Sequence, residues 1–561
     1  MIARSIVVNI QVVASRSFDL VRMKQGLASA PRVIAVVLAA TLLVACGGSN
    51  GDAEGVVSTR VAPEIRQVFD KAAYASAAWG LRVVDLDTGE ILQDLAGDRA
   101  FRVGSVRKLF SVGLALDALG ADHRFSTPIH RQGGVNGAGV LNGDLVLVAS
   151  GDLAMGGRTL PDGSLAISDY DHNEANSLGN AVLTAPDPLA GFDRLARQVA
   201  AAGITRVAGD VVVDTRLFEP FDFRGESRIS AMFVNDNVVD VSIGPDGATD
   251  WRPKSAVFPV TSTVVRGPAS APFELEPEPA ACLGTAGCAG RVSRTLPAGY
   301  TPPLTGRYPM IRTFRIADPA TYARSVLIEA LARAGVMVDA PVVAPNPVQR
   351  LPASRGYDAS TRVAELVSHP FLDQARHILK VSYNIGADTS LMLFGLTQGV
   401  TTQAGALAAE RAALAGRYGV ATDAVRFIDG SGGGDTTATA KAVIDLLRAM
   451  ASGPNAQAFR TALPSLGVDG SLAFVEDFAG DPSLAGARGR VQAKTGTYLV
   501  GGGAGPVLAA QALAGYVTAR SGRRLAFEVV VNDVAPIGSL DDILQVFQDQ
   551  GTIAATLWKL H

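Results

Sequence analysis

The sequence predicts a mixed α/β (α+β) protein of more than one domain, in which a strand-rich stretch interrupts a part built of helices and sheet. Its 561 residues are too many for one ordinary core, and 48% hydrophobic with 18% charged residues make the chain globular. Apolar residues at helical spacing occur at both ends, whereas the middle carries short apolar runs between frequent turn residues. The formal net charge of −3 gives no electrostatic reason to expect a nucleic-acid partner.

The elements begin with an export signal. Arg22, Lys24 and Arg32 precede the apolar run "VIAVVLAATLLVAC", which is too short, and too abruptly ended by "GGSNGDAEG", for a membrane span. The ending "LVAC" resembles a bacterial lipobox, in which Cys46 becomes the lipidated first residue of the mature chain. A plain signal anchor is the alternative reading. Residues before Met23 fit neither, which makes Met23 an alternative start. Residues 1–45 are therefore expected to be a signal peptide of lipoprotein type and 46–62 a linker.

"PEIRQVFDKAA", from Pro63, has helical spacing, with Ile65, Val68 and Phe69 on one face. "WGLRVVDLDTGEILQDL" sets two apolar runs around the turn "DTGE", a hairpin signal. "FRVGSVRKLFSVGLALDALG" follows, with Leu109, Val112, Leu116 and Leu119 every three or four residues and Gly120 as a stop. Ser105 stands near the N-terminus of this helix and Lys108 one turn on, on the same face. Serine is also a favoured helix N-cap, the plain structural role for Ser105.

Beyond it, "GDLVLVA" and "GDVVVDT" read as short strands, and a Pro-rich "PAGYTPPLTGRYP" leads to the helical "DPATYARSVLIEALARAGV". Cys282 and Cys288, in "ACLGTAGCAG", are close enough to pair as a disulfide in an exported protein, with two free thiols as the alternative. No histidine lies nearby, which argues against a metal there. "RHILKVSYNIGADTSLMLFG" is a helical pattern containing Ser382, Tyr383 and Asn384. "GRVQAKTGTYLVGGG" carries Lys494, Thr495 and Gly496 into two strands, "AAQALAGYVT" and "RRLAFEVVVN". "DYDHNEANSLGN" gathers Asp, His, Glu and Asn but lacks helical His spacing, so it reads as a polar surface loop and no metal is expected.

Each short motif is weak alone. Their order, Ser-x-x-Lys, Ser-x-Asn, Lys-Thr-Gly, is that of the penicillin-recognising serine enzymes. With "LNGDLVLVASGDL", "AGDVVVDTRLF", "MFVNDNVVDVSIGPDG" and "FIDGSGGG", the chain from about Pro63 onward resembles the class C low-molecular-mass penicillin-binding proteins, peptidase family S13, which are D-alanyl-D-alanine carboxypeptidases and endopeptidases.

The resemblance implies a serine β-lactamase/DD-peptidase-like transpeptidase fold, with residues 63–125 and 358–561 forming the catalytic domain and 126–357 one or two inserted β-rich domains. It implies a periplasmic enzyme without a cofactor, anchored to the membrane by its N-terminal lipid, acting on peptidoglycan stem peptides and acylated by β-lactams. Ser105 would be the nucleophile and Lys108 its base. Ser382 would relay a proton to the leaving amine, and Asn384 would bind the substrate amide and position Lys108. Lys494 and Thr495 would hold the substrate carboxylate, with Gly496 permitting close approach, and the N–H groups of Ser105 and Thr497 would form the oxyanion hole. Asp152, in "SGDL", corresponds to an acidic group that relatives present to the diaminopimelate ammonium, although aspartate before a turn needs no other reason. Asp429 and Ser431 read as a turn shaping the site rim.

The implied chemistry has a physical requirement. A serine hydroxyl is a poor nucleophile until a neighbour takes its proton, and a free lysine of pKa about 10.4 is neutral less than one time in a thousand at pH 7. Bringing that pKa near neutrality costs roughly 4 kcal/mol, which burial, a helix N-terminus and a second cation such as Lys494 would supply.

Three residues depart from the family pattern. Gly104 replaces the usual alanine before the nucleophile, Tyr383 the common aspartate of the second motif, and Gly433 a leucine, which is expected to loosen that loop. A class C β-lactamase or esterase would carry Tyr first in the second motif, whereas Tyr383 is in the middle. A catalytically silent wall-binding lipoprotein is the remaining alternative.

Overall fold

A five-stranded sheet draws its strands from both ends of the chain, in the order Val491–Gly502, Gly505–Thr518, Arg524–Asn532, Ala78–Asp85, Ile91–Leu95. This computed structural model describes residues 60–561 apart from 226, 270–281, 303 and 503–504. The expected signal peptide, Cys46 and nearly all of the linker lie outside the described residues. Ala78–Asp85 and Ile91–Leu95 form the hairpin expected around "DTGE", pairing Leu81 with Leu95.

Both faces of this sheet are covered, which is why its strands read as continuous apolar runs. Leu81, Val83, Phe527, Val529 and Val531 pack with Ile553 and Leu557 of the C-terminal helix Leu540–Leu560. A capping box of Ser539 and Asp542 starts that helix. On the other face Val84, Ala512, Ala514, Ala526 and Val530 join the main core with Leu109, Val112 and Leu116 of helix Lys108–Leu119. The first expected helix is shorter than its apolar spacing, Pro63–Phe69, followed by a 3₁₀ turn at Ala72–Tyr74.

The strand-rich middle is organised around separate sheets. Val140–Val148, which contains most of "GDLVLVA", pairs antiparallel with Ser126–Val135 and parallel with Val211–Asp214 of "GDVVVDT". The strand Arg362–Val367 pairs with Ser126–Val135, so this sheet continues beyond residue 357, where the sequence division placed its end. A second sheet has the order Thr249–Arg252, Val238–Ile243, Met310–Arg315, and a parallel pair joins Val260–Gly267 to Gly290–Pro297. Helix Pro319–Arg333 follows, N-capped by Asp318. Cys282 and Cys288 are joined by a disulfide, their Cα atoms 5.4 Å apart. Among the described residues no helix is long and apolar enough to cross a membrane.

Candidate active site

The Ser-x-x-Lys, Ser-x-Asn and Lys-Thr-Gly residues meet along the edge strand Val491–Gly502 of the five-stranded sheet. Ser105 lies in the 3₁₀ turn Gly104–Arg107 that leads into helix Lys108–Leu119, whose N-cap is Arg107, so the plain N-cap role does not apply to Ser105. Lys108 is fully buried, and its Nζ donates to Ser105 Oγ at 2.6 Å, Asn384 Oδ1 at 2.7 Å and Ser431 O at 2.9 Å.

The second motif is not the interior of one helix. Helix Phe371–Val381 ends at Ser382, which is left-handed at φ 63°, and a new helix runs Asn384–Thr397. The break turns Ser382 and Asn384 toward the lysines and Tyr383 away from them. Such a backbone costs of order 1–3 kcal/mol in a non-glycine residue, strain that proteins keep where geometry matters. Ser382 Oγ accepts from Lys494 Nζ at 3.0 Å, and Lys494, also fully buried, donates to Thr495 O at 2.7 Å.

The strand Val491–Gly502 runs against the 3₁₀ turn at van der Waals limits. A side chain on Gly496 would stand 2.0 Å from Val103 O, and one on Gly104 2.9 Å from Thr497 N. Gly104 is left-handed at φ 49°, a conformation that favours glycine. This contact brings the N–H groups of Ser105 and Thr497 to neighbouring positions. The hydroxyl of Thr495 pairs with Ser471 Oγ at 2.8 Å and that of Thr497 donates to Gln511 Oε1 at 2.8 Å, partners that no motif announced.

Asp152 is not brought into this group. It is 1% exposed, and its Oδ1 accepts from Ala154 N and Gln374 Nε2, each at 3.1 Å. Burial pushes its carboxyl up to about 6.

Two expectations are corrected. "DYDHNEANSLGN" is not a surface loop, because Asp171, His172, Asn173 and Asn180 are buried. Arg158 donates to Asp171 Oδ2 at 2.9 Å and to Asp236 Oδ2 at 2.9 Å, and the two ring nitrogens of His172 meet Asp240 Oδ1 at 2.7 Å and Asp236 Oδ2 at 2.9 Å. Asp171, His172 and Asp236 are close enough together to suggest a metal site, yet the Arg158 guanidinium already bonds to both carboxylates. Burial disfavours a charged His172, but Asp240 and its neighbours outweigh it and raise the imidazole to about 10. Its ring nitrogens therefore donate to carboxylates rather than ligate. The cluster lies directly behind the second motif, where the buried Tyr383 hydroxyl donates to Asp236 O at 3.1 Å.

The second correction concerns Gly433. The loop is not loosened, because the Arg224 guanidinium lies where a side chain would be, 2.5 Å from the position of a Cβ on Gly433. Asp429 folds the loop as the sequence suggested, its Oδ1 accepting from the N–H groups of Ser431 and Gly432 at 3.1 and 2.7 Å. Arg224 itself was missed. The glycine run after Asp429 signals close approach, but nothing local says what approaches.

A buried lysine bonded to a serine hydroxyl, with a second serine–lysine pair facing it across a sheet edge, is the architecture of the penicillin-recognising serine hydrolases. The chain belongs to the D-Ala-D-Ala carboxypeptidase 3 (S13) family, which it matches over residues 61–546, and is a serine-type peptidase of that family. It is 28% identical over 543 residues to the D-alanyl-D-alanine carboxypeptidase of Actinomadura sp. (strain R39), covering 90% of this chain and 87% of that one. It is 26% identical over 499 residues to carboxypeptidase DacB of Mycolicibacterium smegmatis, covering 86% and 83%. The crystal structure of penicillin binding protein 4 from Haemophilus influenzae has the same fold, with a TM-score of 0.64 at 18% identity over 88% of this chain and 99% of that one. A β-lactam complex of that protein aligns with a TM-score of 0.62 at 19% identity, over the same shares of the two chains.

Proposed function

We propose that Ser105 is the nucleophile of a D-alanyl-D-alanine carboxypeptidase acting on peptidoglycan stem peptides. The observation that carries this reading is Lys108 Nζ at 2.6 Å from Ser105 Oγ, with Asn384 and Ser431 O holding the amine in place. Lys108 takes the hydroxyl proton as Ser105 Oγ attacks the carbonyl carbon of the penultimate D-alanine. The developing oxyanion is met by the N–H groups of Ser105 and Thr497, each donor of this kind being worth about 3 kcal/mol. Ser382, polarised by Lys494, passes a proton to the departing D-alanine amine, leaving an ester on Ser105. Water then attacks that ester and frees the shortened peptide. Lys494 and Thr495 receive the terminal carboxylate, which fits a buried cation on the edge strand Val491–Gly502.

A β-lactam presents the same carbonyl beside a carboxylate, so it acylates Ser105. Its leaving amine stays tethered, which slows release. Asp152, buried and bonded to Gln374, belongs to the scaffold in this reading rather than to the substrate. Residues 63–125 and 368–561 carry the chemistry, and 126–367 form the inserted part, the boundary moving to include the strand Arg362–Val367. The protein works outside the cytoplasm, anchored through a lipid on Cys46. The lipobox-like "LVAC" and the disulfide support that placement.

The test is intact-mass analysis after incubation with penicillin, beside Ser105→Ala. We expect a persistent gain of one drug mass in the wild type and none in the variant, together with D-alanine release from a D-Ala-D-Ala peptide. Rapid drug hydrolysis without an adduct would favour a β-lactamase. Neither adduct nor hydrolysis would favour a silent wall-binding protein.

A further inference from the structure

We propose that Arg224, supplied by the inserted part, is a positioning residue for Lys108 and acts through the loop 429–433. This rests on the reading of Ser105 and Lys108 given above.

The loop is held in two halves. Its first half is fixed from the core: Ser111 Oγ donates to Gly430 O at 2.7 Å, Gly430 N to Asp388 Oδ1 at 2.9 Å, and Arg107 Nε to Asp429 O at 2.8 Å. Arg107 is itself anchored by a fully buried pair with Glu410 on helix Gln403–Arg417. The second half touches the reacting groups. Ser431 O accepts from Lys108 Nζ at 2.9 Å, and Gly432 packs so tightly that a side chain would stand 2.0 Å from Gly104 O and 3.1 Å from Ser105 N.

Arg224 grips this second half. Its Nη2 donates to Ser431 Oγ at 2.8 Å and Asp429 Oδ2 at 3.0 Å, and Asp429 Oδ2 accepts in turn from Gly433 N at 3.0 Å. The guanidinium lies flat on Gly433, a position only a residue without a side chain leaves open. The residue whose carbonyl holds the base thus has its hydroxyl held by Arg224.

The pair also sets charge. Burial would raise the Asp429 carboxyl, but Arg224 keeps it below the ordinary range, so the carboxylate is ionised and compensated. Asp388 beneath it is pushed up to about 6 by burial and by Asp429. The charged groups around the loop and base are therefore Arg107, Glu410, Asp388, Asp429 and Arg224, with Lys494 on the facing strand. Removing Arg224 leaves Asp429 with less compensation, which favours the protonated form of Lys108 and moves the acidic limb of the acylation profile to higher pH.

The experiment uses the full chain and a fluorescent penicillin, with the saturating acylation rate and the half-saturating concentration measured separately between about pH 5.5 and 9.5. Arg224→Met is expected to lower the acylation rate roughly tenfold to a hundredfold with half-saturation unchanged, and to move the acidic limb upward. Arg224→Lys should restore part of the rate. Gly433→Leu should reproduce the defect with Arg224 still present, because the new side chain displaces the guanidinium. Wild-type rates in Arg224→Met at every pH overturn the proposal, as does a rate loss that only tracks a lower melting temperature with the limb unmoved. A wild type that takes no penicillin overturns the reading of Ser105 and Lys108 instead.

Discussion

Two sets of buried charge flank the turn Ser382–Tyr383–Asn384, and they are built from different partners. In front, Lys108 donates to a hydroxyl, an amide oxygen and a backbone carbonyl, all uncharged. Behind, three cations, Arg158, His172 and Arg252, face three carboxylates, Asp171, Asp236 and Asp240. Uncharged acceptors hold an amine in place without locking its proton, whereas carboxylates favour the charged form of their partner. The front set suits a group that must give up and regain a proton. The rear set lies wholly within the inserted part, where it suits a rigid joint, and the Tyr383 hydroxyl on Asp236 O fastens it to the back of the second motif. Asn235, Asp236 and Asn237 are all left-handed, at φ 51°, 55° and 58°, and the turn they form delivers the Asp236 carbonyl to Tyr383.

The largest expected effect breaks the rear set. Arg158→Met leaves Asp171 and Asp236 buried without their main cation, and the loss of one partner from a buried ion pair typically costs about 3–5 kcal/mol. Urea unfolding should show a loss of that size. A loss below about 1 kcal/mol would mean that the cluster is not the joint described.

The reverse exchange sharpens the contrast at the front. Asn384→Asp sets a carboxylate where an amide oxygen now lies 2.7 Å from Lys108 Nζ. An added opposite charge at this range raises a lysine pKa by about 1–3 units, so penicillin acylation at pH 7 should fall roughly a hundredfold and recover as pH rises. Wild-type acylation at pH 7 would show that Lys108 does not act as the base.

A third, smaller effect is read in the pH dependence of stability. Glu528 faces the main core in the cross-strand row that runs from Lys494 through Ala514 to Arg82. Among the described residues neither carboxyl oxygen of Glu528 has a hydrogen-bond partner, and burial raises it from 4.5 to about 8. The folded state therefore binds this proton more tightly than the unfolded state, and stability falls as pH rises from 4.5 through 8. His172, raised from 6.5 to about 10 by its carboxylates, adds a second decline of the same sign between those values. Glu528→Gln should remove the first decline only, stabilising the protein near pH 9 and leaving it unchanged at pH 4. Equal effects at both pH values would contradict a neutral buried carboxyl.

The front set was largely legible in the sequence and the rear set was not, for a physical reason. Ser105 and Lys108 share one helical turn, and Lys494 with Thr495 opens a strand pattern, so short-range periodicity finds them. The helical period of "RHILKVSYNIGADTS" runs through Ser382 without interruption, because a left-handed serine has no local signature. "DYDHNEANSLGN" is polar, and polar composition reads as surface unless the partners are known. Its partners, Arg158, Asp236 and Asp240, come from other segments of the chain. Arg224 and Gly433 belong to the same kind, since only the fold joins an insertion to a loop two hundred residues later.

The smallest effect tests the direction in which the second motif points. Tyr383 stands where the family resemblance leads one to expect aspartate, and its ring lies 5.4 Å from that of His377 with its hydroxyl on Asp236 O. An aspartate there would add a carboxylate beside Asp171 and Asp236, whereas tyrosine adds an uncharged donor. Tyr383→Phe removes one buried hydrogen bond and should lower stability by about 1 kcal/mol. Because the side chain faces the joint rather than the lysines, acylation should stay within about twofold of wild type, less than the effect of any group that meets the reacting atoms. A tenfold loss of acylation at unchanged stability would place the hydroxyl in front, with Ser382 and Asn384. The separation of the two charge sets would then fail at the residue that divides them.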